Sequence, residues 1–137
     1  MKALTIQQPW ASLIVAGAKC HETRSWSTRH RGPLLIHAGA RFPEPARLLC
    51  RREPFLSALD GRTAAELPLG VVIGSVEIVE CVRVEDIVQL DEREERFGDY
   101  RPGRWAWLLR HPVALPHFAV RGMPALFDVA LPETAQV

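Results

Sequence analysis

The sequence predicts an α+β fold: a single domain, residues 1–137, built as a mostly antiparallel β-barrel or curled sheet of about six strands with short helices at its rim. Three observations lead there. Six segments carry β-branched or two-residue alternating patterns. The connections between them are short, and strands do not alternate regularly with helices, which disfavours a doubly wound parallel sheet. The chain has 137 residues, 47% of them apolar, enough to bury one self-sufficient core.

Lys2–Ile6 alternates as a short first strand, and Gln7-Gln8-Pro9 interrupts it. Pro9 suits the first turn of a helix, Trp10, Leu13 and Ile14 recur at helical spacing, and Gly17 supplies the stop, so a helix is expected over Pro9–Ala16. Trp10 belongs to the core side of that helix, with its ring placed to wall a cleft at the helix start. Lys19–Ser25 then reads as strand. Its period puts Cys20, Glu22, Arg24 and Trp26 on one side and Lys19 on the other, so only a twist or bulge brings Lys19 round to Glu22.

Ser27–Pro33 is a basic turn holding Arg29, His30 and Arg31, either solvated or in contact with phosphate. Pro33–Ala38 is a short buried strand, with His37 as a hydrogen-bonded core residue. Phe42–Leu59 contains Pro43, Pro45 and Pro54, which suggests two short helices broken at Pro54, and Gly61–Pro68 is a loop. The β-branched run Val71–Val84 must be a central strand, with Gly74 at a bulge or close approach. Glu77 and Glu80 have opposite parity, so at most one of them faces a given pocket. Leu90–Tyr100 has a short helix signature, starting near Asp91 and stopping at Gly98. Gly103–Arg110 alternates as a strand, Pro112–Val120 follows, and Met123–Ala130 is the last strand.

Seventeen basic and sixteen acidic residues leave a net charge of +1, so there is no global pull toward nucleic acid and any polyanion site must be local. The charge is uneven along the chain: basic groups dominate Met1–Arg52, and acids are concentrated in Val71–Tyr100. Three cysteines, Cys20, Cys50 and Cys81, are odd in number and widely spaced, which argues against a disulfide framework or a zinc knuckle. We expect no metal and no cofactor. A strand-like start and the absence of a long apolar run point to a cytoplasmic protein without a membrane span. The oligomeric state is not legible.

The stretch Gly17–Trp26, G-A-K-C-H-E-T-R-S-W, organises the candidate site. Lys19, Glu22 and Arg24 fall within six residues at a helix-to-strand junction. Alone, such a cluster reads equally well as a solvated turn. The flanking Ile14, Val15 and Trp26 set these charges against a core instead.

Gly17 to Arg24 also fits the G-x-K-x-x-E-x-R signature, and in this the chain resembles the ASCH domain family of PUA-like β-barrels. The resemblance extends to Q-P-W-A (Gln8–Ala11), R-S-W-S-T-R-H-R-G-P-L-L-I-H-A (Arg24–Ala38) and F-G-D-Y-R-P-G-R-W-A-W (Phe97–Trp107), blocks similar to those of one bacterial subgroup and spanning most of the chain. At His30 the subgroup often carries tyrosine, so a hydroxyl is lost there.

The resemblance implies a PUA-like barrel with a cleft between barrel and first helix, lined by Lys19, Glu22 and Arg24, that receives single-stranded RNA, a nucleoside or a nucleotide. Arg24 can fork onto a phosphate or base edge, Lys19 can donate as a point charge, and Trp26 or Trp107 can stack on a base. Arg29 and His30 join the ligand set. The alternative from another class is a hydrolase, resembling either an N4-acylcytidine amidohydrolase or a ribonuclease. Where the amidohydrolase subgroup has threonine this chain has Glu22, and Thr23 lies one residue away on the opposite face. Glu22 would therefore act as general base on water, with Lys19 sharing its proton. A further carboxylate from Glu77, Glu80, Glu94, Glu95 or Asp99 lines the cleft in that reading.

Overall fold

Val71–Arg83 becomes the strand on which the sheet is built, and a computed structural model describes the chain around it over residues 1–133; residues 134–137 of the expected domain lie outside the described residues. In chain order the elements are β1 (Lys2–Ile6), α1 (Trp10–Val15), β2 (His21–Arg24), β3 (Gly32–Ala38), α2 (Glu44–Leu49), α3 (Phe55–Ala58), β4 (Val71–Arg83), α4 (Glu92–Phe97), β5 (Trp105–Ala119) and β6 (Leu126–Asp128). The fold is α+β. Six strands form one half-barrel sheet in the order β2-β5-β4-β3-β1-β6, antiparallel throughout except for the β1–β3 pair. Among the described residues no helix is long and apolar enough to cross a membrane.

β5 runs longer than the alternating segment Gly103–Arg110, because Pro112–Val120 continues the same ladder against β4. Proline has no N–H to give a ladder, and both prolines inside β5 fall where the register slips: Pro112 between the pairs Glu77–Arg110 and Ser75–Val113, and Pro116 between Gly74–Ala114 and Val72–Phe118. The last strand is shorter than Met123–Ala130, shrinking to Leu126–Asp128. The break at Pro54 separates α2 from α3 as the prolines require.

Helix α1 lies on the sheet at Gly74, where a Cβ would stand 2.5 Å from the Val113 carbonyl oxygen and 2.7 Å from Val15 Cγ1. Only glycine permits this approach. Leu4, Ile14, Ile36, Ile78 and Trp107 fill the space between α1 and the sheet. A second cluster, Leu13, Cys50, Phe55, Leu59 and Phe97, packs the opposite side of α1 against α2, α3 and α4. The helices thereby hang over one end of the half-barrel and leave a cleft between themselves and β2.

β2 starts two residues later than the alternation predicts, and this decides the position of Lys19. The amides of Ala18 and Lys19 both donate to the Leu13 carbonyl, at 3.0 and 3.1 Å, so Lys19 still belongs to the end of α1. Strand parity does not constrain it. Gly17 turns this corner with φ at +83°. A β-branched residue is strained in that left-handed region, so Gly17→Val should lose about 1–3 kcal/mol and displace Lys19. A thermal midpoint equal to wild type would contradict the junction.

Candidate functional site

Lys19 is almost wholly buried, at 3% exposure. Its ammonium donates to the His21 carbonyl and lies 3.9 Å from Glu22 Oε1 and 3.9 Å from Glu94 Oε2. Burial pushes the Lys19 pKa below its usual value, and the two carboxylates oppose that shift. Glu94 reaches the junction from α4, and its Oε1 accepts the Cys20 amide at 2.6 Å. Its Oε2 is buried with no hydrogen-bond partner among the described residues. Lys19 is thus the counter-ion of two acids from different elements.

Glu22 also carries the second half of the site. Its Oε2 accepts from Arg24 Nε at 2.9 Å, while Arg24 Nη2 donates to the Thr5 carbonyl at 3.0 Å and so ties β2 to β1 at the far side of the sheet order. Arg24 Nη1 has no partner among the described residues. The far face of the junction holds His21, whose Nδ1 shares a 3.0 Å hydrogen bond with the Tyr100 hydroxyl. Burial lowers the pKa of His21, while burial and then the charges of Glu94 and Glu22 raise that of Tyr100, which keeps both neutral.

Lys19, Glu22 and Arg24 border a cleft of ≈ 770 Å³, whereas Glu94, His21 and Tyr100 stand behind its lining. Thr5 and Gln7 form one wall, Trp10 and Phe55 an apolar one, and Phe97–Asp99 the edge contributed by α4. Trp10 meets Phe55 edge to face, with centroids 6.1 Å apart. Arg41, Arg96 and Arg104 complete the lining, so cations outnumber acids there even though the whole chain is nearly neutral. Arg104 is held by the Asp99 and Thr23 carbonyls, at 3.0 and 3.2 Å, whereas the exposed Arg41 side chain makes no hydrogen bond with the described residues. No three His, Cys, Asp or Glu side chains converge as a metal-ligand set among the described residues.

Of the residues chosen from sequence, the cleft gathers Lys19, Glu22 and Arg24, with Trp10 in its wall and Asp99 at its edge, and leaves out Trp26, Arg29, His30 and Trp107. Trp107 is corrected outright: it has 0% exposure, its Nε1 donates to the Trp26 carbonyl at 3.3 Å, and its ring packs edge-on against Trp26 at 4.9 Å. A base cannot stack on it. Trp26 is half-buried in that pair, outside the cleft lining. Arg29 and His30 sit on the β2–β3 loop away from the cleft, His30 bonded to the Pro33 carbonyl at 2.8 Å. Among the candidate carboxylates, Glu77 faces His111 at 3.8 Å, Glu80 pairs with Arg31 at 2.9 Å and Glu95 is exposed. Asp99 borders the cleft, but hydrogen bonds from Arg101 hold its pKa down to about 2.

That leaves Glu94 as the acid that meets Lys19. It lies three residues before Phe97, on the helix face that must be buried, and this spacing was the available signal. Arg41, Arg96 and Arg104 carried no such mark, since exposed arginines are spread throughout the chain.

An ASCH domain model matches residues 4–117 of the chain. The chain is 30% identical over 129 residues to activating signal cointegrator 1 of Homo sapiens and 29% identical to that of Mus musculus. The matched region covers 92% of this chain but only 22% of either relative, so the chain spans about a fifth of their length. Among solved structures, it is similar to the ASCH protein of Zymomonas mobilis with a TM-score of 0.55 at 13% identity, covering 94% of this chain and 87% of that one. A single-substitution variant of that protein gives 0.52 at 18% identity, with the same coverage of both chains. At such identities the structural likeness shows the fold.

Proposed function

Because the chain belongs to the ASCH domain family, we propose that its cleft recognises single-stranded RNA or a nucleotide. The observation that carries this reading is the joint lining of one ≈ 770 Å³ cleft by Trp10, the Glu22–Arg24 pair, Arg41 and Arg96. Trp10 offers an aromatic face to a base. Glu22 accepts from an exocyclic amino group while Arg24 donates to a ring acceptor, and Arg41 and Arg96 at the rim take the flanking phosphates. The volume suits one base with its sugar, and no element presents a recognition helix for a duplex groove. The three free thiols suit a reducing, cytoplasmic setting.

Arg41 provides the cleanest test of the phosphate arm, because it is exposed and makes no hydrogen bond that stabilises the fold. Arg41→Ala should weaken binding of a short single-stranded RNA and reduce the slope of log affinity against log salt by about 0.7, with the melting temperature unchanged. An unchanged slope would remove Arg41 from the contact.

A second reading, hydrolysis, rests on one specific feature, the buried Lys19 held between Glu22 and Glu94 with its pKa lowered. In that chemistry Glu22 takes a proton from water as the hydroxide attacks an acyl or phosphoryl centre, and the Glu22–Lys19 pair returns that proton to the departing amine or alkoxide as its bond to the centre breaks. Incubation with N4-acylated cytidines and with single-stranded RNA, followed by mass spectrometry, separates the two. Recovery of intact ligand alongside saturable binding supports recognition, and release of cytidine or cleaved RNA supports hydrolysis.

A further inference from the structure

Away from the cleft, α2, α3 and the turn at Ala64–Glu66 enclose a second groove of ≈ 910 Å³ that neither reading uses. Its surface is aliphatic: Leu48, Leu56 and Leu69 line it and remain 41%, 45% and 41% exposed. Three guanidiniums, Arg47, Arg51 and Arg62, border it against one carboxylate, Glu44. Arg47 and Arg51 make no side-chain hydrogen bond or ion pair with the described residues. Exposed leucines clustered under free cations select an occupant that carries both aliphatic side chains and acids. A phosphodiester chain would satisfy the arginines but leave the leucines wet.

The chain presents such a segment elsewhere. Glu85–Glu92, E-D-I-V-Q-L-D-E, contains four acids and no base, and leads from the end of β4 into α4. Val88 at its centre is 95% exposed, the most solvated large apolar side chain among the described residues. Asp86 and Asp91 pair with no cation of the described residues. An aliphatic tip flanked by unpaired acids matches the groove in shape class and in sign.

We propose that the groove between α2, α3 and the Ala64–Glu66 turn receives the Glu85–Glu92 segment of a second copy of this chain. Val88 and Ile87 would cover Leu48 and Leu56, while Asp86 and Asp91 would face Arg47 and Arg51. One segment per groove buries less than a standard interface, so the association is weak and salt-sensitive, with dissociation in the micromolar range or above. It leaves the nucleotide cleft open, because cleft and groove share no lining residue: Leu49 lines the first, and Leu48 and Arg51 the second.

Sedimentation velocity of the full chain, from micromolar to near-millimolar concentration at low salt, tests this. The expected result is an average mass that rises with concentration for wild type and stays monomeric for Val88→Lys and for Leu56→Asp, two exposed positions whose substitution leaves the fold intact by circular dichroism. Mixing the two variants should restore association in part, because each retains the half that the other has lost. A wild type that stays monomeric throughout, or association that survives both substitutions, would overturn the proposal.

Discussion

Trp107→Ala is expected to cost about 3–5 kcal/mol of stability, the usual range for removing a fully buried tryptophan, and to unfold far earlier than wild type in urea. The indole has no solvent exposure, meets Trp26 edge to face and donates its N–H to the Trp26 carbonyl, so truncation opens a cavity and leaves an acceptor unpaired. Trp107 is also the register partner of Glu22 across β2 and β5, so collapse around the cavity would move the cleft as well. Trp107→Phe separates the two effects. It keeps most of the packing, should lose far less stability and should bind a short RNA with the affinity of wild type. Weakened binding by a well-folded Trp107→Phe would return this residue to the ligand.

The sequence made Trp107 look like a stacking platform because its neighbours alternate, Trp105 and Trp107 both fall in a strand, and nothing local says which face of a curled sheet is inside. Burial is a property of the packed pair with Trp26, and that pair forms only when β2 lies beside β5. The elements themselves were more legible. The helix stop at Gly17, the β-branched run of β4 and the close approach at Gly74 each follow from a local physical demand that the fold then meets, and α4 ends before Gly98 although that glycine is extended, at φ −132°. The charge cluster was legible in membership and misread in mechanism. Lys19 joins Glu22 without a bulge, because helix-end hydrogen bonds to Leu13 hold it outside the strand whose parity would exclude it. Arg41, Arg96 and Arg104 come from distant elements, and only the way α2 and α4 hang over the sheet brings them to one cleft, as it brings Glu94 to Lys19 behind that cleft. Arg29 and His30 show the converse: adjacency in sequence to the motif did not carry them there, because the chain leaves the cleft after Arg24.

Lys19→Met should destabilise the fold by about 3–5 kcal/mol and weaken nucleotide binding, because it strips the cation from two buried acids at once. Glu22 would keep Arg24 at 2.9 Å, but Glu94 Oε2 would have neither a hydrogen bond nor a counter-ion. Most of the loss therefore belongs to Glu94. Adding Glu94→Gln to Lys19→Met should recover part of it, since the neutral amide no longer needs a cation, and the cycle should show a coupling of about 0.5–3 kcal/mol. For the ligand, Lys19→Met and Glu22→Gln should each weaken binding, with the double variant little worse than either. The pH dependence supplies an independent check. The folded pKa of Lys19 lies below 10.5, its unfolded value, so between the two the unfolded chain binds more protons. Stability from this group consequently rises as the pH climbs through that window, and below the folded pKa the full cost of burying the charge is present. Across alkaline pH the stability of wild type in urea titrations should rise relative to that of Lys19→Met, since Tyr100, whose raised pKa acts in the opposite sense, is present in both. Strictly additive losses in the cycle, together with parallel pH curves for the two proteins, would mean that Lys19 acts alone, as a lysine whose charge no buried partner feels.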